Sequence, residues 1–326
     1  MRVLWTHNSN PAILNAGCFM YTMLSGLRDL GIDVHLEYLG NMRSPFNLLR
    51  ARRRIRELAK SFDLVHAQYG SACALVTSAV SDRPTVVTIR GNDWNTHDSS
   101  ISFAYFHTRL ARMMTWLALP SFTGIIPVSW RIQRSMIPYA PKAQFLVLPS
   151  AIDLGRWKPL DRSFTRNRTC TWSKQEKKVL YVSLRPSDPI KQYGLCQEVM
   201  SLVNQQQENV TFSVASNIPH AEMHKFVASF DAVLCTSESE GWPNSIKEAL
   251  ACNIPFVSTD VSDLAEIAAQ EPSCRVCAAD ANELARNLCE VLRLPRPDNL
   301  RRFVEPMDVK ISSEKLVSFY KSLLRM

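Results

Sequence analysis

The sequence lacks any run of apolar residues that approaches the roughly 20 needed to span a bilayer. Its amino terminus, MRVLWTHNSN, shows a short strand pattern followed by polar residues, which is not the pattern of a signal peptide. Its nine cysteines form no paired framework of the kind that secreted disulfide-rich domains use. These absences predict a cytoplasmic protein whose cysteines fill its core.

Metal and cofactor motifs are missing as well. Cys274 and Cys277 form one close pair, SCRVC, but nothing nearby supplies two further ligands at zinc spacing. His220 and His224 flank Glu222 in HAEMH, an order that differs from the zinc motif H-E-x-x-H. No Asp-x-Asp pair stands at a predicted strand end, and no G-x-G-x-x-G fingerprint follows the first strand, which argues against a dinucleotide dehydrogenase. We therefore expect neither a metal nor a cofactor.

The net charge of +8 favours anionic partners, namely nucleic acid, phosphorylated small molecules or an anionic membrane. Nucleic-acid binding would require basic residues interleaved with exposed aromatics, or a recognisable module, and neither is found. The most basic stretch, RARRRIREL, lies on a predicted helix and contains Arg50, Arg52, Arg53, Arg54 and Arg56. Such a run is usually a solvated face. The alternative is peripheral contact with the inner face of a membrane, where each basic residue is worth about 1 kcal/mol.

The chain is long enough, and with 46% hydrophobic residues apolar enough, for two domains. Short β-rich runs alternate with helical stretches throughout. The predicted strands are 3–5, 33–39, 63–66, 85–89 and 124–128 in the first half, and 179–183, 210–214, 232–235, 255–258 and 275–278 in the second. The predicted helices between them include 18–30, 103–119, 191–204, 244–251, 262–269 and 281–294. This alternation predicts mostly parallel sheets covered by helices on both faces.

A turn-rich segment, LPSAIDLGRWKP, interrupts this pattern and indicates the linker. We predict one Rossmann-like domain over residues 1–155, a second over 156–305, and a C-terminal helix within 306–326 that could pack on either domain. Two such domains facing across a central cleft would bind ligands at the carboxyl ends of their strands.

The most informative stretch is 237–266, SESEGWPNSIKEALACNIPFVSTDVSDLAE, in which seven residues separate Glu240 from Glu248 around a glycine turn. Upstream lies YVSLRPSDPIKQYGL, and the first half contains GLRDLGIDVHL, FDLVHAQYG, PTVVTIRGNDW, PVS and LPSAID. In this order the segments resemble the landmarks of family-four GT-B glycosyltransferases, the glycosyl transferases group 1 type. The match is strongest over 179–266, and its order spans nearly the whole chain.

The resemblance implies the GT-B fold, with an acceptor-binding first domain and a second domain that binds the nucleotide sugar. It also implies a retaining enzyme of the hexosyltransferase type. Such an enzyme moves a sugar from a nucleotide diphosphate sugar to a hydroxyl of a carbohydrate or lipid-linked acceptor, in polysaccharide or glycoconjugate synthesis.

Residue by residue, the resemblance assigns Glu240 to the transferred sugar and Glu248 to the ribose. Backbone N–H groups at the start of the helix after the glycine turn can face an anion at the positive end of the helix dipole. The expected donor-binding residues of this turn are Gly241, Trp242, Pro243, Asn244 and Ser245. Taken alone, either glutamate would be an ordinary helix or surface residue, and it is their combination that favours a donor site.

Arg185 and Lys191 follow the first strand of the second half. Two cations there can stabilise the charge that develops on the leaving diphosphate, a task that a divalent metal performs in other transferases. The family usually separates its two basic residues by one position fewer. Gly17 lies in the loop after the first strand, where the family places a glycine against the donor; a glycine needed only for helix entry is the alternative.

On the acceptor side, many relatives carry a histidine where TIRGNDW has Arg90. An arginine there suits a charged acceptor or an additional phosphate contact. We expect Asn92, Asp93 and Trp94 to line the same side. His66, which ends the predicted strand in LVHAQYG, is a further candidate, with a hydrogen-bonded core histidine as its alternative.

Two rival functions stay open at this point. A nucleotide-sugar epimerase of the same fold would release free sugar and nucleotide without an acceptor. A binding protein could retain the fold without turnover, although the presence of Glu240, Glu248 and Lys191 argues against it.

Overall fold

The computed structural model describes residues 1–10, 12–13, 16–95, 103–159, 176–207, 209–216 and 218–325, with the side chains of 103–108 and 220 left aside. The chain divides into two compact units. The first unit comprises Met1–Ala151 together with Val309–Met326, and the second comprises Ile152–Asp308.

The first unit is built on a six-stranded parallel sheet in the order β2-β1-β3-β4-β5-β6. Its strands are β1 (Arg2–His7), β2 (Asp33–Tyr38), β3 (Leu64–Ala67), β4 (Thr85–Ile89), β5 (Gly124–Pro127) and β6 (Gln144–Phe145). Its first five helices are α1 (Cys18–Asp29), α2 (Pro45–Ala59), α3 (Ser71–Thr77), α4 (Phe103–Ala118) and α5 (Trp130–Met136). β3, β4 and β5 are buried along their whole length, as expected for central parallel strands that helices cover on both faces.

The second unit repeats this plan with a five-stranded parallel sheet in the order β11-β10-β9-β7-β8. Its strands are β7 (Lys177–Val182), β8 (Val210–Ala215), β9 (Ala232–Cys235), β10 (Phe256–Thr259) and β11 (Arg275–Cys277). Its helices are α6 (Tyr193–Gln206), α7 (His220–Val227), α8 (Asn244–Ala251), α9 (Leu264–Ala268) and α10 (Ala281–Arg293). The sequence predictions placed these strands to within two residues.

The last helix, α11 (Val309–Leu324), returns to the first unit. Its apolar residues Leu316, Val317, Tyr320 and Leu323 belong to the same core as Trp5 and Met20. Gly26 of α1 permits the close packing of α1 on α11, since a Cβ at that position would lie 2.9 Å from Val309 Cγ2 and closer still to Ser313 Oγ. The sequence left the partner of this helix open, and the structure shows that it completes the core of the first unit.

The chain enters the second unit at Ile152, which forms a β-bridge with Asp308 at the exit. The Asp308 carboxylate accepts a hydrogen bond from Leu154 N at 3.3 Å. The Arg301 guanidinium donates to Leu154 O and to Trp157 O, and it also reaches Ala251 O at the end of α8. These bonds attach residues 152–157 to the second unit.

When strands are numbered from the start of each unit, the second sheet has the order 2-1-3-4-5, and the first has the same order with a sixth strand added at the end. In this doubly wound topology the chain direction of the crossovers reverses between the first and third strands, and ligands bind outside the carboxyl ends of those two strands. The switch points are therefore at β1 and β3 in the first unit, and at β7 and β9 in the second. The predicted class, two Rossmann-like parallel α/β domains, is confirmed.

Candidate functional site

The switch point of the second unit brings the loop after β7 next to the loop after β9. Lys191 ends a short 3-10 turn, Pro189–Lys191, which the Asp188 side chain caps by accepting from Ile190 N. Gln192 then adopts a left-handed conformation with φ of 46°. We expected a helix from residue 191, but α6 begins at Tyr193 because this turn precedes it. Lys191 therefore lies in a loop at the strand ends and not within the helix.

Polar side chains from both strands hold this turn in place. The Tyr181 hydroxyl donates to Lys191 O at 2.9 Å, and the Thr236 hydroxyl lies 3.0 Å from the same oxygen. Glu238 N donates to Ile190 O at 2.8 Å. The backbone that carries Lys191 is thus bonded to the end of β7 and to the loop after β9.

Lys191 and Glu240 form an ion pair at this point. Lys191 Nζ lies 2.5 Å from Glu240 Oε1, and the Ser237 hydroxyl donates to the same oxygen at 2.9 Å. The two charged side chains are 30% and 18% exposed, respectively. Burial lowers the pKa of Lys191, but the nearby Glu240 carboxylate outweighs it, so that the pKa lies above the ordinary value. Lys191 therefore carries its positive charge at neutral pH.

The ion pair leaves hydrogen-bonding capacity unused. An ammonium has three N–H groups, and only Glu240 takes one of them among the residues that the structure describes. Oε2 of Glu240 has no described protein partner. The Lys191 ammonium can thus donate to an anionic oxygen, and the neighbouring Glu240 Oε2 can accept from a hydroxyl. A sugar diphosphate offers both of these partners.

The predicted donor turn follows directly after Glu240. Gly241, Trp242 and Pro243 are buried, whereas Asn244 is exposed and Ser245 partly so. The Ser262 hydroxyl donates to Gly241 O at 2.6 Å, which ties the turn to the loop after β10. Pro243 directly precedes α8 and provides no side-chain cap. Backbone N–H groups of the first helical turn thus lack an internal partner, as an anion site at a helix start requires.

Glu248 and Arg185 are two further residues that are predicted to bind the donor substrate. Glu248 is partly buried within α8, one residue after Lys247, whose own Nζ donates to Asn244 Oδ1 at 2.9 Å. Arg185 is exposed in the loop after β7, and its guanidinium bonds to no residue of the described part of the chain. Glu248 thus lies on the helix that follows β9, and Arg185 lies in the loop that follows β7.

Arg90 follows β4 in the first unit. Its Nε donates to Gln68 O at 2.9 Å and its Nη1 donates to Ser150 Oγ at 2.9 Å. Its guanidinium carbon lies 3.7 Å from the centre of the Phe19 ring. Burial lowers the pKa of Arg90 to about 10, which still leaves it charged at neutral pH.

Asp93 and Trp94 are buried, 0% and 3% exposed. The Asp93 carboxylate accepts from Gly70 N at 2.7 Å, Gly91 N at 2.8 Å and Arg90 N at 2.9 Å. Burial raises the pKa of Asp93, although these N–H groups oppose the shift. The two side chains thus organise the loop after β4 and present no free polar atom to a ligand, whereas Asn92 is exposed.

His66 is buried with both ring nitrogens bonded. Trp5 Nε1 donates to the Tyr320 oxygen at 3.1 Å, so the Tyr320 O–H is left for His66 Nδ1 at 2.5 Å. His66 Nε2 then donates to Thr88 Oγ1 at 2.7 Å. Burial, together with the charge of Arg90, holds the pKa of His66 well below its ordinary value. This is a neutral core histidine, the alternative considered from the sequence.

Gly17 immediately precedes α1 with a φ of 74°, a left-handed conformation that favours glycine. A Cβ there would lie 3.1 Å from Ser9 Cβ. The geometry of helix entry thus requires this glycine whether or not a donor also contacts it.

The arginine cluster of α2 divides into two groups. Arg52 and Arg56 donate to carbonyl oxygens at the end of α3 and just beyond it, and Arg54 pairs with Glu37 at 2.8 Å. Arg50 and Arg53 are exposed and have no hydrogen bond or ion pair to a described residue. Arg54 and Arg56 are exposed as well, so the expectation of a solvated basic face holds for four of the five, and only Arg52 is partly buried.

The predicted cysteine pair and the HAEMH segment both lie in the second unit. Cys274 and Cys277 are buried free thiols, and His224 of the HAEMH segment lies near Trp157 with ring centroids 6.3 Å apart. Within the described ranges no group of three or more His, Cys, Asp or Glu side chains is placed to hold a metal ion. The helices of those same ranges include none with the length and apolarity to cross a bilayer.

Several residues of the site escaped the sequence analysis. Tyr181, Thr236, Ser237 and Ser262 all hold the two loops of the second unit, and each hydroxyl lies at or just after a strand end. Hydroxyl residues at the carboxyl ends of buried strands are the signal that would have found most of them.

Two family descriptions match the chain. Glycosyltransferase Family 4 matches residues 4–156, and Glycosyl transferases group 1 matches residues 176–293. The two matches together cover most of both units. Among curated protein sequences, none matches the chain.

Solved structures with the same fold cover essentially the whole chain. Sucrose-phosphate synthase from Thermosynechococcus elongatus has a TM-score of 0.80 at 15% identity, over 100% of this chain and 99% of that one. HepE of Anabaena, solved with UDP and glucose, has a TM-score of 0.69 at 17% identity, over 99% and 100%. The lipopolysaccharide outer core galactosyltransferase WaaB, in its apo form, has a TM-score of 0.68 at 11% identity, over 99% of both chains. These likenesses confirm the GT-B fold.

Proposed function

The chain belongs to the glycosyltransferases of the GT-B fold, and from that premise we propose that it transfers a hexose from a nucleoside diphosphate to a hydroxyl acceptor with retention of the anomeric configuration. The observation that carries the proposal is the Lys191–Glu240 pair at the switch point of the second unit, where a free acceptor oxygen lies beside free ammonium N–H groups.

In the proposed reaction the bond between the anomeric carbon and the diphosphate oxygen breaks, and its electron pair passes to the leaving diphosphate. Lys191 and Arg185 stabilise that charge, together with N–H groups at the start of α8. Glu240 accepts a hydrogen bond from a hydroxyl of the sugar and thereby orients the sugar. Glu248, about one turn inside α8, accepts hydrogen bonds from the ribose hydroxyls.

The acceptor hydroxyl attacks from the side that the diphosphate leaves, which retains the configuration. Because the acceptor hydroxyl is itself the nucleophile, the step requires none from the enzyme. The acceptor's proton passes to a phosphate oxygen of the leaving group. No metal ion takes part in this scheme, because the cations of the second unit meet the developing charge.

Uridine diphosphate sugars are the first donors to test, because HepE of Anabaena was solved with UDP and glucose. The acceptor is a carbohydrate or a lipid-linked sugar. The biological setting that suits such a reaction is cytoplasmic synthesis of a polysaccharide or another glycoconjugate.

We also place the protein at the inner face of a membrane. On α2, Phe46 is 83% exposed and Leu49 is 65% exposed. They share one helix face with the exposed Arg50 and Arg53, following the spacing of three and four residues. A face with both apolar and basic side chains is typical of helices that lie in an anionic lipid surface.

A second helix of the first unit also exposes apolar side chains. α3 packs against both α2 and α4. On α4, Met113, Trp116 and Leu117 are exposed. The sequence contains no acidic residue between Glu37 and Glu57, and none between Asp98 and Asp153. This charge pattern favours an anionic bilayer over a protein partner of mixed charge.

The enzymatic proposal is tested in two steps. Thermal unfolding with UDP, GDP and ADP, and with their sugars, identifies the donor, since a ligand at a hundredfold its dissociation constant stabilises by about 2.7 kcal/mol. The selected donor is then incubated with and without an acceptor mixture, and NMR of the product gives its anomeric configuration.

Transfer with the donor's own configuration supports the proposal, and inversion contradicts the retaining part of it. Release of free sugar at the same rate without acceptor supports the epimerase alternative. Stabilisation by a nucleotide sugar that is never turned over identifies a binding protein.

A further inference from the structure

We propose that Arg90 binds an anionic group of the substrate, a phosphate or a carboxylate, at the carboxyl end of β4. This inference rests on the proposed function and adds the charge of the substrate to it.

Every partner of the Arg90 guanidinium is electrically neutral. Its hydrogen bonds go to the Gln68 carbonyl, to the Ser150 hydroxyl and, at 3.4 Å, to the Gln68 side-chain oxygen. The Phe19 ring covers one face of its plane. These contacts fix the orientation of the cation without neutralising it.

No carboxylate of the described residues lies within ion-pair distance of the guanidinium. Asp93 acts on its charge only from further away, and backbone N–H groups already occupy both Asp93 oxygens. Burying a cation without a bonded anion is costly. A substrate anion bound to the guanidinium would reduce that cost, which no carboxylate of the described residues does.

The guanidinium also has unused N–H groups that can donate to such an anion. Of its five N–H groups, three are used, and one on each terminal nitrogen is left. These two N–H groups form a fork, one prong on each terminal nitrogen, that can donate to oxygens of a phosphate or carboxylate. A lysine, whose charge is a point, would not offer this fork.

A small cavity lies against the guanidinium. Its volume is about 20 Å³, enough for one oxygen-sized group. The polar residues of its lining are His66, Gln68, Thr88, Arg90 and Ser150, with no acidic side chain among them. Because His66 is neutral, Arg90 supplies the only charge of this lining. The polar wall therefore selects a negatively charged oxygen.

The anion has two possible sources within the proposed reaction, an anionic substituent on the acceptor or the diphosphate of the donor. Both share the chemistry that Arg90 recognises. An experiment that uses matched pairs of neutral and charged sugars, together with UDP, distinguishes them.

The experiment compares wild type, Arg90→Gln and Lys191→Ala by thermal unfolding in titrations with glucose, glucose 6-phosphate, glucuronate and UDP. If the anion is on the acceptor, the two charged sugars stabilise the wild type more than glucose does. Arg90→Gln then raises the concentration for half-maximal stabilisation by the charged sugars at least tenfold, and Lys191→Ala leaves it within threefold. If the anion is the diphosphate, Arg90→Gln weakens UDP at least tenfold and no charged sugar is preferred.

Arg90→Lys guards against a loss of folding in the glutamine variant. It retains the charge without the fork, so we expect an intermediate affinity for the anionic ligand together with a normal melting temperature. The inference is overturned if Arg90→Gln, or Arg90→Lys where the former does not fold, binds UDP and all three sugars as the wild type does. It is equally overturned if the variants lower only the melting temperature. If the wild type responds to none of UDP, GDP and ADP, the proposed function fails, and the comparison of charged with neutral sugars still tests whether Arg90 binds an anion.

Discussion

Lys191 Nζ and Glu240 Oε1 lie 2.5 Å apart although 49 positions separate the two residues in the chain. The contact exists because β7 and β9 are neighbours in the sheet, while β8 lies at its edge. An arriving diphosphate must therefore share the ammonium with the glutamate or displace it. We expect sharing, since the ammonium has further N–H groups and Glu240 has a second oxygen for the sugar.

The first prediction concerns Lys191→Ala. Removing one preorganised cation or donor from a developing negative charge typically lowers kcat by about 100- to 1,000-fold. We expect a loss of this size in sugar transfer, measured at saturating donor. Lys225→Ala is the matched control, because Lys225 is an exposed lysine of α7. Transfer by Lys191→Ala within threefold of the wild type would remove Lys191 from the reaction.

The second prediction separates the two glutamates. Glu248→Gln should weaken the binding of the bare nucleoside diphosphate by about 1.5–3 kcal/mol, the range for hydrogen bonds to charged groups. Glu240→Gln should retain that binding at neutral pH and lose transfer rate instead, because its contact is to the sugar. Calorimetry and transfer kinetics on both variants measure this. Equal losses of diphosphate affinity, or normal transfer by Glu240→Gln, would contradict the assignment.

The third prediction is a pH dependence. The Glu240 carboxylate keeps the pKa of Lys191 above its ordinary value of 10.5 in spite of burial. The stability that this pair contributes is thus complete below the unfolded pKa and lost only as the pH rises through the folded one. In Glu240→Gln the burial remains without the carboxylate, so the pKa of Lys191 falls.

Diphosphate affinity of Glu240→Gln should consequently decline at a lower alkaline pH than that of the wild type. Calorimetry from pH 7 to pH 10 follows it. Glu248→Gln serves as the control, since Glu248 is not among the groups that shift Lys191. Identical alkaline limbs in all three proteins would show that Lys191 does not titrate in the binding step.

The fourth prediction tests the membrane face of α2. Arg50→Glu/Arg53→Glu reverses two exposed arginines and should abolish sedimentation with anionic vesicles, at about 1 kcal/mol for each basic residue near the surface. Arg286→Glu/Arg293→Glu makes the same change in net charge on α10, where both arginines are exposed. Equal loss in the two variants would indicate unspecific charge attraction, and equal binding of the wild type to neutral vesicles, or none to either, would rule the proposal out.

The fifth prediction concerns the packing of the last helix. Gly26→Ala should lower the free energy of unfolding by about 1–3 kcal/mol, as overpacking does, because the new methyl group would collide with Val309 and Ser313 of α11. Gly194→Ala is the matched control within α6, where an added Cβ meets nothing within 4 Å. Thermal or urea unfolding compares them. Equal stability of both variants would show that α11 adjusts without cost.

Most of the fold was predictable because alternating β-rich and helical stretches identify parallel α/β units. Except for the two-residue strand β6, which was not predicted, the strand ends also followed, and together with the family resemblance they gave the candidates Glu240 and Lys191. Their pairing did not, since periodicity contains no information on which strands are neighbours. The order β7-β9 arises from the crossovers and is visible only in the folded chain.

Two misjudged features have a physical reason in common. Arg52 was expected on a solvated face, but it is partly buried and its guanidinium donates to the Leu75 carbonyl oxygen near the end of a neighbouring helix. Asp93 was expected to face the acceptor, but its carboxylate collects backbone N–H groups. A charged residue predicts a polar partner, and sequence alone does not reveal whether that partner is a ligand or the protein's own backbone.

The return of α11 to the first unit affects the order in which the molecule can assemble during its synthesis. The second unit is one continuous segment, Ile152–Asp308, whereas the first needs Val309–Met326 to complete it. At roughly 5–20 residues per second, a ribosome takes roughly 8–30 s to translate the intervening segment. For that time Trp5 lacks its hydrogen-bond partner Tyr320. The second unit can therefore become native first, and the first unit is completed only after Val309–Met326 has been made.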